Sequence, residues 1–508
     1  MRTAPMRSRA ARRAGRLKWG RRMMFRRGTA RIPAALWIPM ALAIMIVTGC
    51  AAVGPDYVRP EVPVYEAWNT RLDGDANTGE TDVRTLAAWW TTLDDPKLSE
   101  LVGRAVKGNL DLKKAKARVR EARARRGIAE ADLFPSLDAA GSATWNRIIS
   151  DTGTDTTGDL YTAGFDAAWE LDVFGGVRRS VEAADRDLQA SEEDLRNVLV
   201  SLLAEVGLNY LDVRIYQDRI AVAEDNLASQ DETCRLTEWR YQAGLSDELA
   251  VQQARYNREN TRSQIPLLIT GLEAALNRVA VLLGEQPGRV HTELERREPI
   301  PVPPLQVAVG VPADLLRRRP DVRQAERQLA AQTARVGVAT ADLYPKFTLN
   351  GSIGLEALAL KDPASASLLL SGGPAITWAI FKGGAIRQNI EAQSALQEQA
   401  LIQYEAVILG ALEEVENALV AYAQVQLRRQ ALSEATQAAR KAAELARHKY
   451  EAGLTDFTNV LDAQRSLLSF QEQLALSNGN VTGNLMRLYK ALGGGWTSPA
   501  GSGREHGT

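Results

Sequence analysis

The spacing of hydrophobic residues divides the chain into long helical segments and short alternating ones. From Leu188 to Leu227, leucine, valine and tyrosine recur every three, four or seven positions, as along the seam of a coiled coil. No proline interrupts 178–242, which predicts one helix of roughly 100 Å at about 1.5 Å per residue. Further helices are predicted at about 97–131, 246–284, 313–341 and 455–491, with a second long helix after the glycine pair 383–384.

Strict alternation of apolar and polar residues predicts four β-strands, two in each half of the chain. This period of two is typical of a sheet with one apolar face. Three strands are clear, at about 136–148, 160–173 and 346–356. The weaker alternation of Ile376, Trp378 and Ile380 predicts the fourth at about 374–381.

The two halves of the chain are copies of one unit. Residues 111–142 align without gaps to 321–352, and RYQAGLSD at 240–247 aligns to KYEAGLTD with nearly the same shift. Chance similarity between helices would not keep one offset across helices, strands and turns. We therefore predict a duplicated helix-strand-strand-helix-helix unit, and thus an α+β fold, spanning 96–288 and 312–496.

Four amphipathic strands cannot close a barrel, and open sheet edges are not tolerated in lipid. Several chains must therefore contribute strands. Two chains would give about 8 strands around a filled interior, whereas three would give about 12 and leave a lumen. The polar face, with Asp138, Asp166, Glu170 and Asp172, would line this pore. A soluble sheet with one buried face is the alternative that the strand pattern alone leaves open.

The N-terminus has the order of a secretory signal. Residues 1–49 hold 12 basic residues and no acidic one, and an apolar run at 33–47 precedes Thr48-Gly49-Cys50. The run is short for a membrane anchor, which is the alternative. Val47 to Cys50 resembles a bacterial lipobox, which implies that 1–49 is removed and that Cys50 carries a covalent lipid. Ala51, in place of an aspartate, implies the outer membrane.

Charge and residue types exclude several classes of function. The whole chain has 62 basic and 62 acidic residues, so removing residues 1–49 leaves 50 against 62, a net charge of −12. An acidic surface argues against a nucleic-acid partner. The three histidines, His291, His448 and His506, have no metal-ligand spacing, and no phosphate loop is present, so we expect neither an enzyme nor a metal or other cofactor. Cys234, with no partner thiol, is expected to be a packed spectator.

Long motifs give the chain a family resemblance. They are CAAVGPDYVRP at 50–60, AWWTTLDDPKLSELV at 88–102, LLRRRPDVRQAERQLAAQTARVGVATADLYP at 315–345, KYEAGLTDFTNVLDAQRSLLSFQ at 449–471 and LYKALGGGW at 488–496. Over about 50–496 the chain resembles the TolC/OprM-type outer-membrane efflux factors, in their lipoprotein branch.

The resemblance implies a homotrimer with a 12-stranded outer-membrane β-barrel continuous with a long periplasmic α-helical barrel. The segment 50–95 and the linker 289–311 would form an equatorial belt, and 497–508 a C-terminal tail. The channel would be passive and export small molecules such as drugs. An RND-type inner-membrane pump would drive it through a periplasmic adaptor.

The resemblance also implies a closed periplasmic aperture at the hairpin ends. Asp462 matches the aperture aspartate and Tyr450 the tyrosine that ties neighbouring hairpins, with Tyr241 as its repeat counterpart. Asp247 and Asp456 are further aperture candidates, or ordinary helix-start acids. Some relatives carry an arginine where this chain has Leu454-Thr455-Asp456, so the closing contacts must differ.

The residue types alone assign the turns of the hairpins. Gly244 and Gly453 follow the two long helices at matching positions, where glycine is a common terminator.

The sequence leaves two alternative functions open. A duct for type I protein secretion belongs to the same exporter class. A periplasmic adaptor lipoprotein also uses long hairpins, but it would carry one hairpin between β-rich halves and not two complete copies of the unit.

Overall fold

A computed structural model describes residues 52–70, 76–77, 83–148, 156–301, 307–308, 312, 318–358 and 366–496. The signal segment 1–49, Cys50 and the tail 497–508 lie outside the described residues. All described residues belong to one compact unit that begins at Ala51.

Each half of the chain contributes three long helices and two strands. In chain order the elements are α1 (Pro96–Gly108), α2 (Leu110–Ala131), β1 (Ser136–Ile148), β2 (Thr156–Leu171), α3 (Gly176–Gln242), α4 (Glu248–Leu283), α5 (Pro320–Ala341), β3 (Lys346–Ala357), β4 (Ser367–Thr377), α6 (Ala385–Glu451) and α7 (Phe457–Ala491). Shorter pieces are the helices Val83–Ala87 and His291–Leu294, the 3₁₀-helix Trp89–Leu93, and the parallel pair Ala76–Asn77 with Val307–Ala308.

The duplication is visible in the lengths of the elements. α2 and α5 both have 22 residues, and α3 and α6 both have 67. Both long helices begin after a left-handed glycine, Gly175 or Gly384. α3 and α4 form the first helical hairpin, and α6 and α7 form the second.

The strands form one antiparallel sheet in the order β1-β2-β3-β4. Its register places polar residues in shared rows on one face, such as Asp138, Asp166, Ser352 and Ser371. The adjacent row on the other face is Ala139, Phe165, Ile353 and Leu370. The period-two pattern therefore produces one polar and one apolar face.

Three predicted boundaries need correction. β4 lies at Ser367–Thr377 and not at 374–381, because pairing with β3 recruits the leucines before Gly372. β2 begins four residues earlier than expected, at Thr156, and ends at Leu171.

The helix expected at 97–131 is in fact two helices, α1 and α2, that meet at Asn109. The Asn109 side chain caps α2 by accepting the Leu112 N–H at 2.9 Å, and it donates to the Leu282 carbonyl at 2.9 Å. Such a cap favours a new helix start.

The main hydrophobic core lies where α1, α3, α4 and α7 meet the segment around Trp89. Trp89 is fully buried and stacks on Tyr489 with 6.0 Å between ring centroids. The linker docks on the same region, because the buried Arg214 donates to the Arg296 carbonyl at 2.8 Å and to Glu298 at 2.5 Å. A second, smaller core lies at the hairpin ends.

Helix α4 continues through Pro266 without a break. Among the described residues α4 is the one helix with the length and apolar composition that membrane crossing requires. Its last turns contribute Val279, Ala280 and Leu283 to the main core, and it packs along α3. Packing against protein accounts for that part of its apolar surface.

Candidate functional site: hairpin ends and sheet faces

Both helical hairpins turn through the same hydrogen-bonded motif. At the first, Gly244 has a φ of +75° and the Leu245 N–H donates to the Arg240 carbonyl at 2.8 Å. At the second, Gly453 has a φ of +72° and the Leu454 N–H donates to the Lys449 carbonyl at 2.8 Å. A positive φ without strain requires glycine here.

The two aspartates that follow these turns differ in their hydrogen bonds. The Asp247 carboxylate caps α4 by accepting the Ala250 N–H at 2.9 Å. Asp456 occupies the equivalent position before α7, but its side chain makes no capping hydrogen bond and is exposed. The Asp247 carboxylate therefore stabilises the start of α4, whereas the Asp456 carboxylate does not cap α7.

Tyr450 joins the two hairpins within one chain. Its ring is 4% exposed and meets Phe457 edge-on at a centroid distance of 5.4 Å. The Arg240 guanidinium carbon lies 4.7 Å from the ring centroid, and the Tyr450 hydroxyl is 3.4 Å from Ser246 Oγ. The repeat counterpart Tyr241 is 46% exposed, so one of the two related tyrosines is covered and the other is not.

Asp462 lies on the exposed side of α7, next to the buried Val460 and Leu461. Arg465, one turn further along, donates to Asn257 Oδ1 at 3.2 Å and to the Tyr256 hydroxyl at 2.8 Å on α4. That cation is thus engaged with the first hairpin. Asp462 is thus exposed, whereas Tyr450 is buried.

Sequence reasoning missed the basic residues that link the hairpins. Besides Arg240, Arg447 on α6 contacts Glu232 on α3 at 3.3 Å and Glu451 at 2.9 Å. The hydrogen bond from Arg447 holds the pKa of Glu451 below its usual range. For Arg240 the available signal was the repeat alignment, in which another basic residue, Lys449, occupies the equivalent position.

Cys234 belongs to the small core at the hairpin ends and is 1% exposed. Burial, followed by the charge of Glu238, raises the pKa of its thiol. A buried thiol with a raised pKa is a poor nucleophile.

The sheet presents its large apolar side chains on an exposed face. Phe165, Ile353 and Leu370, in one row, are 53%, 48% and 68% exposed. On the polar face hydroxyls pair across strands, as Ser142 with Thr162 at 2.8 Å. An outward apolar band with an inward polar face is the pattern of a membrane β-barrel wall.

Two tryptophans make the same hydrogen bond at the end of the sheet that adjoins the helices, which we call the base of the sheet. Trp169 Nε1 donates to the Leu133 carbonyl and Trp378 Nε1 to the Leu343 carbonyl, each at 3.0 Å. Tryptophan with one apolar and one hydrogen-bonded end is favoured at membrane interfaces.

The described N-terminal residues are fixed beside this base. The Val53 N–H donates to the Phe174 carbonyl at 3.0 Å, just after β2 ends. Arg179 donates to the Val53 carbonyl at 3.2 Å and to Asp56 at 2.6 Å. Val53 therefore lies where β2 leads into α3.

Known proteins resemble this chain over most of its length. The family model described as "Outer membrane efflux protein" matches residues 101–285 and 311–494. Nodulation protein T of Rhizobium leguminosarum bv. trifolii is 32% identical over 466 residues, covering 90% of this chain and 97% of that protein. The toluene efflux pump outer membrane protein TtgI of Pseudomonas putida is 33% identical over 469 residues, covering 91% and 98%. Among solved structures, the outer-membrane channel OprN superposes with a TM-score of 0.81 at 37% identity, covering 88% of this chain and all of that one.

Proposed function

The chain belongs to the outer membrane efflux protein family and is an outer-membrane channel component of an efflux system, and from this premise we propose that three copies form a passive exit duct for small molecules. Members of this family are channel proteins, and this chain spans nearly the full length of its relatives.

Closure of a ring is supported by the duplication. Within the chain, α5 of the second unit packs on α3 of the first, and α3 also packs on α7. The equivalent pairing of α2 with α6 is not formed among the described elements, where α2 packs on α3, and α6 packs on α5 and α7. The sheet likewise ends in two open edges, β1 and β4. Joining α2 of one copy to α6 of the next, head to tail, would cover these helices and pair the open strand edges. Three chains then give about 12 strands with room for a lumen.

The hairpin ends form the constriction of this duct. In a three-fold ring, each chain brings one Asp462 carboxylate to the same level, because the repeat position in the first unit is Gln253. A ring of like carboxylates attracts cations and repels anions. Tyr450 and Arg240 hold the two hairpins of one chain together, which keeps the ends close to the axis.

Cys50 carries the lipid that fixes the chain to the outer membrane. Residues 52–56 are held against the base of the sheet, as a membrane anchor two residues upstream requires. Acyl chains at this level add a second attachment beside the barrel.

The partners are an inner-membrane pump of the RND type and a periplasmic adaptor. The relatives named for nodulation and for toluene efflux are equally similar to this chain, so the duct alone does not select the cargo. Leu245 and Leu454 project from the hairpin ends with 66% and 77% exposure, and give the adaptor an apolar contact.

The observation that carries the proposal is the pair of unmatched flanks, α2 and α6. It is tested by the mass of the purified protein in detergent, measured by light scattering with the detergent contribution subtracted. Three chains per particle are expected. A particle of one or two chains would contradict the trimeric duct.

A further inference from the structure

Helix α2 exposes a face that its repeat partner α5 buries. The α2 positions, three or four residues apart and all exposed, are Lys113, Ala117, Arg120, Ala124 and Gly127. The equivalent positions of α5 are Arg323, Arg327, Ala330, Ala334 and Gly337. All five of these are buried or half-buried in the chain.

The contacts of α5 show what such a face packs against. Arg323 pairs with Glu193 of α3 at 2.6 Å, and Arg327 lies 3.4 Å from Gln189 of α3. A Cβ added at Gly337 of α5 would lie 2.9 Å from Arg179 of α3. α5 therefore runs antiparallel to α3. By contrast, a Cβ added at Gly127 of α2 would meet open space.

Helix α6, the repeat partner of α3, presents an exposed face at the corresponding positions. Leu396, Ile402 and Leu409 there are 44%, 56% and 66% exposed. Beside them an acidic row, exposed and spaced by seven residues, consists of Glu391, Glu398 and Glu405. None of these three carboxylates forms an ion pair with a described residue.

The two faces carry opposite charge. α2 contains eight basic and three acidic residues. Lys113 and Arg120, on its exposed face, form no ion pair with any residue in the described part of the chain. Such a basic face complements the acidic row of α6, and charges that flank an apolar helix seam set the choice and register of the partner.

We propose that α2 of one copy docks on the Glu391–Leu409 face of α6 in the next copy, in the antiparallel arrangement that α5 and α3 adopt within the chain. The inference rests on the proposed ring and adds its residue pairing. Transferring the contacts by the repeat alignment places Lys113 beside Ile402, between Glu398 and Glu405. Arg120, seven residues on, falls between Glu391 and Glu398. The small Ala117 and Ala124 leave room for Leu396 and Ile402.

Charge reversal on the full-length protein tests this seam. Lys113→Glu/Arg120→Glu is expected to shorten the lifetime of the trimer on dilution in detergent by at least about tenfold, because like charges then face each other. Glu391→Lys/Glu398→Lys/Glu405→Lys should have the same effect. Combining both sets should restore the lifetime to within about threefold of wild type. Lys114→Glu/Lys116→Glu makes the same charge change at exposed positions whose α5 equivalents, Gln324 and Glu326, form no hydrogen bond or ion pair with α3, and it should leave the trimer intact.

A disulfide between copies provides a second test that does not depend on destabilisation. Ala117→Cys/Glu398→Cys should give covalent trimers on a non-reducing gel after oxidation, whereas Lys114→Cys/Glu398→Cys should give monomers. A wild-type trimer that tolerates the first reversal, gains nothing from the combined set and forms no cross-link would overturn this seam alone. A monomeric wild-type protein would contradict the ring itself.

Discussion

Arg240, near the end of the first long helix, lies with its guanidinium carbon 4.7 Å from the ring centroid of Tyr450, near the end of the second. Its Nη1 also donates to the Glu451 carbonyl at 3.1 Å. These contacts join the two hairpins of one chain at the level of their turns. The two residues occupy neighbouring positions of the repeated unit, since Tyr450 corresponds to Tyr241 and Arg240 corresponds to Lys449.

Removing this contact should loosen the aperture. A cation–π contact at a partly exposed site contributes about 0.5–1 kcal/mol, which shifts an equilibrium about two- to fivefold. Opening separates the hairpin ends, so Arg240→Ala should raise the open probability in single-channel recordings by that factor. Arg235→Ala, an exposed arginine on the same helix, is the matched control. Equal open probability in both variants would show that this contact does not hold the aperture.

Neutralising Asp462 should change both the size and the selectivity of the channel current. Asp462→Ala removes three carboxylates from the axis of a trimer, so conductance should rise and the preference for cations should fall. Asp462→Asn keeps the volume and separates the effect of charge from that of size. The measurement is the current and reversal potential in a salt gradient. Unchanged values in both variants would place the constriction elsewhere.

Acylation of Cys50 can be tested directly. Cys50→Ala should abolish incorporation of labelled palmitate, while the barrel still inserts because its apolar band is intact. Cys234→Ala is the control and should leave labelling unchanged, since Cys234 is buried. Persistent labelling of the Cys50→Ala variant would refute the anchor assignment.

Neighbouring residues of β4 offer a matched test of the membrane face. Leu370 belongs to the apolar face and Ser371 to the polar one. A lysine on the lipid side costs about 2–4 kcal/mol near the bilayer midplane. Leu370→Lys should therefore lower the fraction of folded protein on an unheated gel, and Ser371→Lys should not. The reverse order would mean that the assignment of the two faces is inverted.

Much of the fold was predictable because its signals are local. The alternation over 136–148 specifies β1, and Gly244 and Gly453 mark turns that require a positive φ. β4 was misplaced because Leu368-Leu369-Leu370 does not alternate, so its extent depends on the register with β3. Asn109 was missed as a break because an asparagine inside a helical pattern becomes a cap only when a neighbour such as Leu282 accepts its amide.

The candidate site was less predictable, because it depends on contacts between the repeats. Tyr241 and Tyr450 occupy equivalent positions in the sequence, yet one is exposed and the other buried. Phe457 and Arg240 cover Tyr450, and the described part of the chain provides no equivalent cover for Tyr241. The same asymmetry separates α2 from α5, and no local pattern contains it.

The central claim is a passive trimeric duct that is constricted at its hairpin ends. It is tested most directly by single-channel conductance and ion selectivity of the purified wild-type protein in a planar bilayer, with the oligomeric mass determined on the same sample. The account predicts a trimer with a small, cation-selective conductance. A trimer with a large, unselective conductance, or a protein that stays monomeric and conducts nothing, would contradict it.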